Sequence, residues 1–105
     1  MTPGDKPNEM NIVDIDFPPK TAADFFNRGL KNAQLGIPDK AAADFEEAAW
    51  MEPENHEIQF NLGVAYLKKG EIDSAINIFK DGLKIKDSPK LFNNLAAAYM
   101  KAENP

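Results

Sequence analysis

The side chains that could bind a metal ion or move a proton gather around a single histidine. His56 is the only histidine in the 105 residues, and Glu54 and Glu57 lie beside it in the sequence. A histidine with two carboxylates is a set of ligands that Zn²⁺ accepts. The alternative is a solvated helix end that binds no ion. We favour the helix end and predict no metal site.

Catalysis by paired carboxylates or by an activated hydroxyl has little support in the sequence. Asp44, Glu46 and Glu47 are close together, but we interpret them as the solvated face of a helix, not as an acid–base pair. The hydroxyl side chains are Thr2, Thr21, Ser74 and Ser88. One histidine and these hydroxyls give no nucleophile–base pattern, and the dispersed glycines form no phosphate-binding loop. We therefore predict a protein that is not an enzyme and that has no cofactor.

The composition limits the partners of the chain. Lys and Arg number 12 against 17 Asp and Glu, which gives a formal net charge of −5. Nucleic acids and anionic membrane surfaces need a basic face, so we expect neither as a partner. There is no cysteine, which excludes disulfides and thiolate metal sites. A chain without cysteine fits a reducing compartment, so we expect a cytoplasmic protein. No apolar run is long enough to span a bilayer, and residues 1–10 do not resemble a signal peptide.

The chain divides at Pro18 and Pro19 into an N-terminal tail and a longer second part. Residues 1–9 are polar and contain prolines and a glycine, which predicts disorder. Residues 10–17 alternate in part between apolar and acidic side chains, as a strand does. A lone strand is unstable, so this segment is either mobile or docked in a groove of this chain or of a neighbour. We predict a disordered or extended tail over residues 1–20 and favour the mobile form.

Five helices with short connections are predicted after the two prolines. They cover about residues 22–35, 38–51, 56–69, 72–86 and 89–102. The residues that can cap helix N-termini are Thr21, Asn55 and Ser88, and Asp24 can complete a capping box with the first of them. Gly36 and Gly70 can adopt the left-handed backbone that ends a helix. Helices of this length with short connections favour an all-α stack of antiparallel hairpins.

Small and aromatic residues recur in these helices at a spacing of 34 residues. The first set is Gly29, Gly36, Ala41, Phe45 and Ala48, and the second is Gly63, Gly70, Ala75, Phe79 and Gly82. Small residues let two helices cross closely, and we expect the phenylalanines to fill the interior of each hairpin. The pattern Leu62–Gly63–x–x–Tyr66 also returns once more, as Leu95–Ala96–x–x–Tyr99. A period of this length is typical of repeated helix–turn–helix units.

This repeat resembles the tetratricopeptide repeat family. The second repeat is closest to the family pattern, at Leu62, Gly63, Tyr66, Gly70, Ala75, Phe79 and Leu83. The first repeat departs from the pattern at Arg28 and Asn32, where Leu and Tyr are usual. The third repeat contains only a first helix. The resemblance therefore implies two and a half repeats, over residues 22–55, 56–88 and 89–105, in a right-handed superhelical stack of helix hairpins.

The resemblance also implies that the protein binds other proteins. In this family the first helices of the repeats, the A helices, line a concave face that binds peptides or protein segments. By alignment this face carries Phe26, Asn27, Leu30, Phe60, Asn61, Val64, Lys68, Lys90, Asn93, Asn94, Ala97 and Lys101. Asparagine amides can pair with a peptide backbone, and apolar pockets between them can take its side chains. We therefore predict a non-enzymatic module that binds a peptide or protein segment.

Family members that bind acidic C-terminal tails use a set of cationic and amide side chains, the carboxylate clamp. The equivalent positions here are Phe26, Leu30, Asn61, Lys90 and Asn94. Only Asn61 and Lys90 agree with the clamp, because both positions on the first helix are apolar. A bound carboxylate would lose most of its charge-assisted hydrogen bonds. We therefore rank a co-chaperone-type tail receptor below general peptide binding.

The last predicted helix has an apolar face that no following helix covers. Phe92, Leu95 and Tyr99 are expected on this face. Further repeats in a longer parent, self-association, or docking of residues 12–17 would each cover it. We favour further repeats, or self-association if the chain is complete. A self-assembly scaffold is therefore the alternative function.

Trp50 lies near the end of the second predicted helix, where the family usually has a charged, outward residue. One interpretation is that it packs against the third helix or against the connection around Pro53. The other is a second contact surface on the convex side of the stack. A tryptophan has a large apolar area to bury, so we favour packing.

Overall fold

A computed structural model describes residues 18–103 of the chain. This part contains five helices, α1 Ala22–Gln34, α2 Pro38–Met51, α3 His56–Lys69, α4 Ile72–Ile85 and α5 Pro89–Glu103. Each helix begins at the predicted residue and ends within one residue of the predicted end, so the all-α prediction is confirmed. The disorder predicted for residues 1–9 and the strand-like segment predicted for residues 10–17 lie outside the described residues.

Side chains before three of the helices bind the free amide groups at the helix starts. The Thr21 hydroxyl accepts from the Asp24 N–H at 3.0 Å, and the Asp24 carboxylate accepts from the Thr21 N–H at 3.1 Å. The backbone N–H groups of Lys20 and Thr21 hold the pKa of Asp24 below its usual value. Asn55 and Ser88 accept from backbone N–H groups of α3 and α5. The predicted N-terminal caps are therefore confirmed.

One glycine reverses the chain in each of the two hairpins. Gly36 has a φ of +76° and Gly70 a φ of +89°, both in the left-handed region. The N–H groups of the next residues, Ile37 and Glu71, then bond back to carbonyls of the preceding helix at 2.9 and 2.8 Å. This backbone pattern ends α1 and α3 and starts the antiparallel return, as predicted.

The helices stack in chain order, so that each helix packs against the next one. The pairs α1–α2 and α3–α4 form two hairpins, and α5 packs against α4. The buried side chains form two clusters, one of Ala41, Ala42, Phe45, Leu62 and Ala65 and the other of Ala75, Phe79, Leu91 and Ala98. Each cluster contains residues from the next A helix, Leu62 in the first and Leu91 in the second. The core therefore joins the repeats to one another as well as closing each hairpin.

A phenylalanine ring lies directly on a glycine in each hairpin. A Cβ atom on Gly63 would lie 2.3 Å from the Phe79 ring, and one on Gly29 would lie 2.6 Å from the Phe45 ring. Both rings are fully buried. The absence of a side chain on the A helix is what lets the second helix approach so closely. The close crossing predicted from the repeated small residues is confirmed.

Candidate functional site

The A helices α1, α3 and α5 carry all the residues predicted to bind a ligand, and we call this surface the groove. Besides its contacts with α2 and α4, α3 also contacts α5, so these two A helices lie side by side. The half-buried residues of the groove are Phe26, Leu30, Phe60, Asn61, Val64 and Asn94. The exposed ones are Asn27, Lys68, Lys90, Asn93, Ala97 and Lys101. The groove therefore combines half-buried residues with exposed ones that, except for Ala97, are polar.

Aromatic and aliphatic side chains form the floor of the groove. The Phe26 ring lies 5.6 Å from the Phe45 ring between centroids, and the Phe60 ring lies 6.5 Å from the Phe79 ring. Leu30 and Val64 pack against the same two buried clusters. Each of these side chains belongs partly to the core, so its position is fixed before any ligand arrives.

An asparagine occupies the same position on each of the three A helices. The residues are Asn27, Asn61 and Asn94, at spacings of 34 and 33 residues. Asn61 donates its side-chain N–H to the carbonyl of Glu57 at 2.9 Å, and Asn94 donates to the carbonyl of Lys90 at the same distance. An amide has a second N–H and an oxygen besides, so each asparagine keeps capacity for a ligand. The bond to its own helix also holds the amide in a defined orientation.

Lys90 links two neighbouring A helices. Its ammonium group lies 4.4 Å from the centre of the Phe60 ring and 3.9 Å from the Glu57 carboxylate. Both contacts are to α3, whereas Lys90 belongs to α5. The contact with the ring is within the range of a cation–π interaction. Lys90 is therefore engaged within the protein and covers part of the groove floor.

The charge of the helices differs between the groove side and α2. Each A helix carries two cationic side chains and one acidic one, whereas α2 carries one cationic and four acidic ones. The overall net charge of −5 therefore does not describe the groove. A ligand meets a surface that is less acidic than the rest of the protein.

Asp44 is buried, so its assignment to a solvated face in the sequence analysis is wrong. Its carboxylate accepts from Arg28 Nε at 3.0 Å and Nη2 at 2.8 Å, and from the Asn32 side-chain N–H at 3.0 Å. The paired carboxylate raises the pKa of Arg28. Three hydrogen bonds compensate the burial of the charge, which is why Asp44 is tolerated inside a helix pair. Glu46 and Glu47 are exposed, as expected.

This cluster of Arg28, Asn32 and Asp44, the polar triad, explains why the first repeat departs from the family pattern. The equivalent residues of the second repeat, at a spacing of 34, are Leu62, Tyr66 and Ile78. The departures at Arg28 and Asn32 were visible in the sequence, but their common partner on α2 was missed. The signal in the sequence was Asp44, a third polar residue where the second repeat has Ile78.

A hydrogen bond joins the second repeat to the first outside the buried clusters. The Tyr66 hydroxyl on α3 donates to the Glu46 carboxylate on α2. Burial raises the pKa of Tyr66 above its usual range, and the hydrogen bond to Glu46 adds to this effect. Tyr66 therefore remains a neutral donor throughout the physiological pH range.

Trp50 is 84% exposed, so the predicted packing against α3 or the Pro53 connection is wrong. The buried residues of α2, among them Phe45 and Ala48, lie on the opposite side of the helix. Met51 next to it is also exposed. The size of a tryptophan favours burial only where another element packs on it. No helix among residues 18–103 covers Trp50.

The last helix exposes part of the predicted apolar face. Phe92 and Tyr99 are 52% and 44% exposed, and Ala96 between them is exposed as well. Leu95 instead packs against the second buried cluster, together with Leu91 and Ala98. The open face of α5 is therefore formed by Phe92, Ala96 and Tyr99.

His56 is the first residue of α3, where the sequence predicted a helix end. It is half-buried and lines a shallow depression with residues 52–55. Among residues 18–103, no three acidic or histidine side chains are gathered as a metal ion would require. The helices of this described part also lack the combined length and hydropathy of a membrane-crossing segment.

Comparison with protein-family models agrees with the architecture described above. The model described as tetratricopeptide repeat matches residues 33–99, which is more than half of the chain. No curated protein matches the chain at a significant level. The matched region extends from the end of α1 into the second half of α5. It includes the whole Gly63–Phe79 crossing and Phe45 of the first crossing, but not Gly29. The chain belongs to the tetratricopeptide repeat family.

Proposed function

We propose that the groove binds an extended peptide or a segment of a partner protein. Tetratricopeptide repeats are generally protein–protein interaction modules and are typically non-enzymatic scaffolds. The observation that carries the proposal for this chain is the repeated asparagine, Asn27, Asn61 and Asn94. A row of amides at one position on adjacent helices can bond to successive backbone groups of a ligand.

The side chains beside the amides favour a ligand with apolar residues. Phe26 and Phe60 lie at one position of successive A helices, and Leu30 and Val64 lie at another. Each of these side chains is half-buried and already held by the core. Its exposed part can therefore contact a ligand side chain with little further loss of conformational entropy. Alternate side chains of an extended peptide would contact this floor while the backbone meets the amides.

The groove does not favour recognition of a terminal carboxylate. Phe26 and Leu30 occupy the two clamp positions of α1 and pack into the first buried cluster. Lys90, the cation that does agree with the clamp, already contacts Glu57 and Phe60. A carboxylate would have to compete with Glu57 for this charge. General peptide recognition is therefore the function that we propose.

Substitution of Asn61 tests the proposal. Peptides are first selected against the wild-type protein from a displayed library of random sequences, and their affinities are measured by calorimetry. We expect Asn61→Ala to weaken binding by about 1–3 kcal/mol, because a buried backbone group of the ligand loses its partner. The melting temperature should stay the same or rise, since alanine is the better helix former.

The matched control is Asn77→Ala, which removes an exposed asparagine from α4 outside the groove. Equal affinities of the two variants would show that the Asn61 amide does not contact the ligand. Unfolding of Asn61→Ala would show that Asn61 is a structural residue. Either result contradicts the proposal.

A second candidate function is self-assembly through the open face of α5. Ala96 is small, and Phe92 and Tyr99 lie about one turn before and one turn after it. Two copies of α5 that cross antiparallel at Ala96 would place Phe92 of one chain near Tyr99 of the other. Such a contact is self-complementary, as two-fold symmetry requires.

Light scattering over a concentration series tests this second candidate. We expect a dimer at high concentration in the wild type and a monomer in Ala96→Glu, since the charge would lie at the crossing. Lys101→Gln, which changes the net charge by the same one unit at an exposed position near the end of the same helix, is the control for charge. A wild type that is monomeric at every concentration would refute self-assembly.

A further inference from the structure

The outer face of α2 carries an exposed tryptophan, and four of the eight residues nearest to it in the sequence are glutamates. Trp50 is 84% exposed, although it is the only tryptophan of the chain and has the largest side chain. Glu46 and Glu47 precede it by four and three residues, so they lie on the same face of the helix within one turn. Glu52 and Glu54, both exposed, lie in the connection that follows α2. We call Trp50 and these four glutamates the Trp50 face.

The second repeat shows that the stack does not require a tryptophan at this position. Lys84 is the equivalent residue, 34 positions later, and its side chain is 78% exposed. It lies 3.7 Å from Asp81, the equivalent of Glu47. The fold therefore accepts a solvated, charged residue here. Packing of the buried core therefore does not explain why position 50 carries a tryptophan.

We propose that the Trp50 face binds a segment of a partner protein that carries arginine or lysine. Among aromatic side chains, the indole ring forms the strongest cation–π contact with an arginine or lysine placed over its face. The glutamates add charge attraction, and although Glu46 accepts from Tyr66 and Glu52 from Asn55, each carboxylate can accept further hydrogen bonds from a guanidinium or ammonium group. The nearest cation on α2 is Lys40, ten residues or about 15 Å away along the helix, so the face has no cation of its own on that helix.

The charge of the Trp50 face selects this occupant over the alternatives. A second copy of the same face would place acidic clusters against each other, and a nucleic acid would place phosphates there. A basic segment neutralises the glutamates and covers the indole at the same time. This site is separate from the groove, because Trp50 lies on α2 and the groove lies on the A helices.

Binding of a short oligo-arginine peptide to the full chain tests the proposal. Trp50 is the only tryptophan, so a change in its emission on titration reports contact at this face. Fluorescence anisotropy of a labelled peptide then compares variants at physiological ionic strength, where distant charges are screened. We expect Trp50→Ala to bind about two- to fivefold more weakly, which is the size of an exposed cation–π contact.

Two charge variants distinguish the Trp50 face from general attraction to an acidic protein. Glu47→Gln and Asp81→Asn each remove one negative charge at equivalent positions of the two repeats. We expect weaker binding for Glu47→Gln and unchanged binding for Asp81→Asn and for Asn77→Ala on α4. Circular dichroism establishes that each variant is folded. Trp50→Lys is a second variant at this position, and it introduces the residue type that the second repeat carries there as Lys84.

Three results would overturn the proposal. The first is that the peptide does not bind or leaves the Trp50 emission unchanged. The second is equal weakening by Glu47→Gln and Asp81→Asn with no effect of Trp50→Ala, which would mean attraction by net charge alone. The third is a shift of the Trp50 emission with protein concentration in the absence of peptide, which would identify a second copy as the occupant.

Discussion

Replacement of Gly63 by alanine tests the close helix crossing on which the second hairpin depends. The new Cβ atom would lie 2.3 Å from one carbon of the Phe79 ring and 2.7 Å from two others. Carbon atoms in contact are normally about 3.5–4.0 Å apart, so the ring or the helix would have to move by about 1 Å. The Phe79 ring is fully buried and has no free space to move into.

Two opposing effects determine the size of the change. Alanine in place of glycine stabilises a helix by about 1 kcal/mol. Overpacking of a buried site destabilises by about 1–3 kcal/mol, and a clash of this depth belongs at the upper end. We therefore expect Gly63→Ala to lower the free energy of unfolding by about 1–2 kcal/mol, measured by urea denaturation with circular dichroism. This corresponds to a melting temperature about 4–16 °C lower.

Gly82→Ala is the matched control for the gain in helix stability when alanine replaces a glycine. Its Cβ atom would meet Leu91 at 3.1 Å, a contact that a shift of a few tenths of an ångström relieves. The helix gain of about 1 kcal/mol should then offset the packing cost, so we expect little net change. In a Phe79→Leu background the ring is absent, and Gly63→Ala should become neutral or stabilising.

Stabilisation of the wild-type protein by Gly63→Ala, by the full amount of the helix-propensity gain, would contradict this prediction. An effect of Gly63→Ala that is the same with and without the Phe79 ring would contradict it as well. Either result would mean that the ring does not lie on the glycine, and the alignment of the two repeats would then need revision.

Two further predictions concern the polar triad and Tyr66. Arg28→Leu leaves the buried Asp44 with Asn32 as its one hydrogen-bond partner. It should lower the free energy of unfolding by about 1–3 kcal/mol, which is less than for a fully buried pair because Arg28 is half-exposed. The triple variant Arg28→Leu, Asn32→Tyr and Asp44→Ile copies the second repeat and should recover this loss in urea denaturation; a triple variant less stable than Arg28→Leu would contradict the explanation. Because the pKa of Tyr66 is raised in the folded state, its contribution to stability is complete below the unfolded pKa of about 10 and is lost as the pH rises further. Tyr66→Phe should therefore lose less stability than the wild type between neutral and strongly alkaline pH, and equal losses would refute the assignment.

The sequence by itself determined the helices, the repeat and the family. Thr21, Asn55 and Ser88 mark helix starts, and Gly36 and Gly70 mark helix ends, because capping bonds and left-handed backbone involve residues that are close in the chain. The glycine–phenylalanine crossings were also predictable, since the pattern occurs twice at one spacing and each copy supports the other. The A-helix positions of the groove follow directly from that alignment.

Only the tertiary structure decided how particular polar and aromatic side chains are used. Asp44 is buried because Arg28 and Asn32, 16 and 12 residues earlier, reach it across the hairpin. Trp50 is exposed because no helix among residues 18–103 packs on the outer face of α2, which its size alone could not reveal. A residue type fixes the cost of burying or exposing a side chain, but the neighbours supplied by other helices decide whether that cost is compensated.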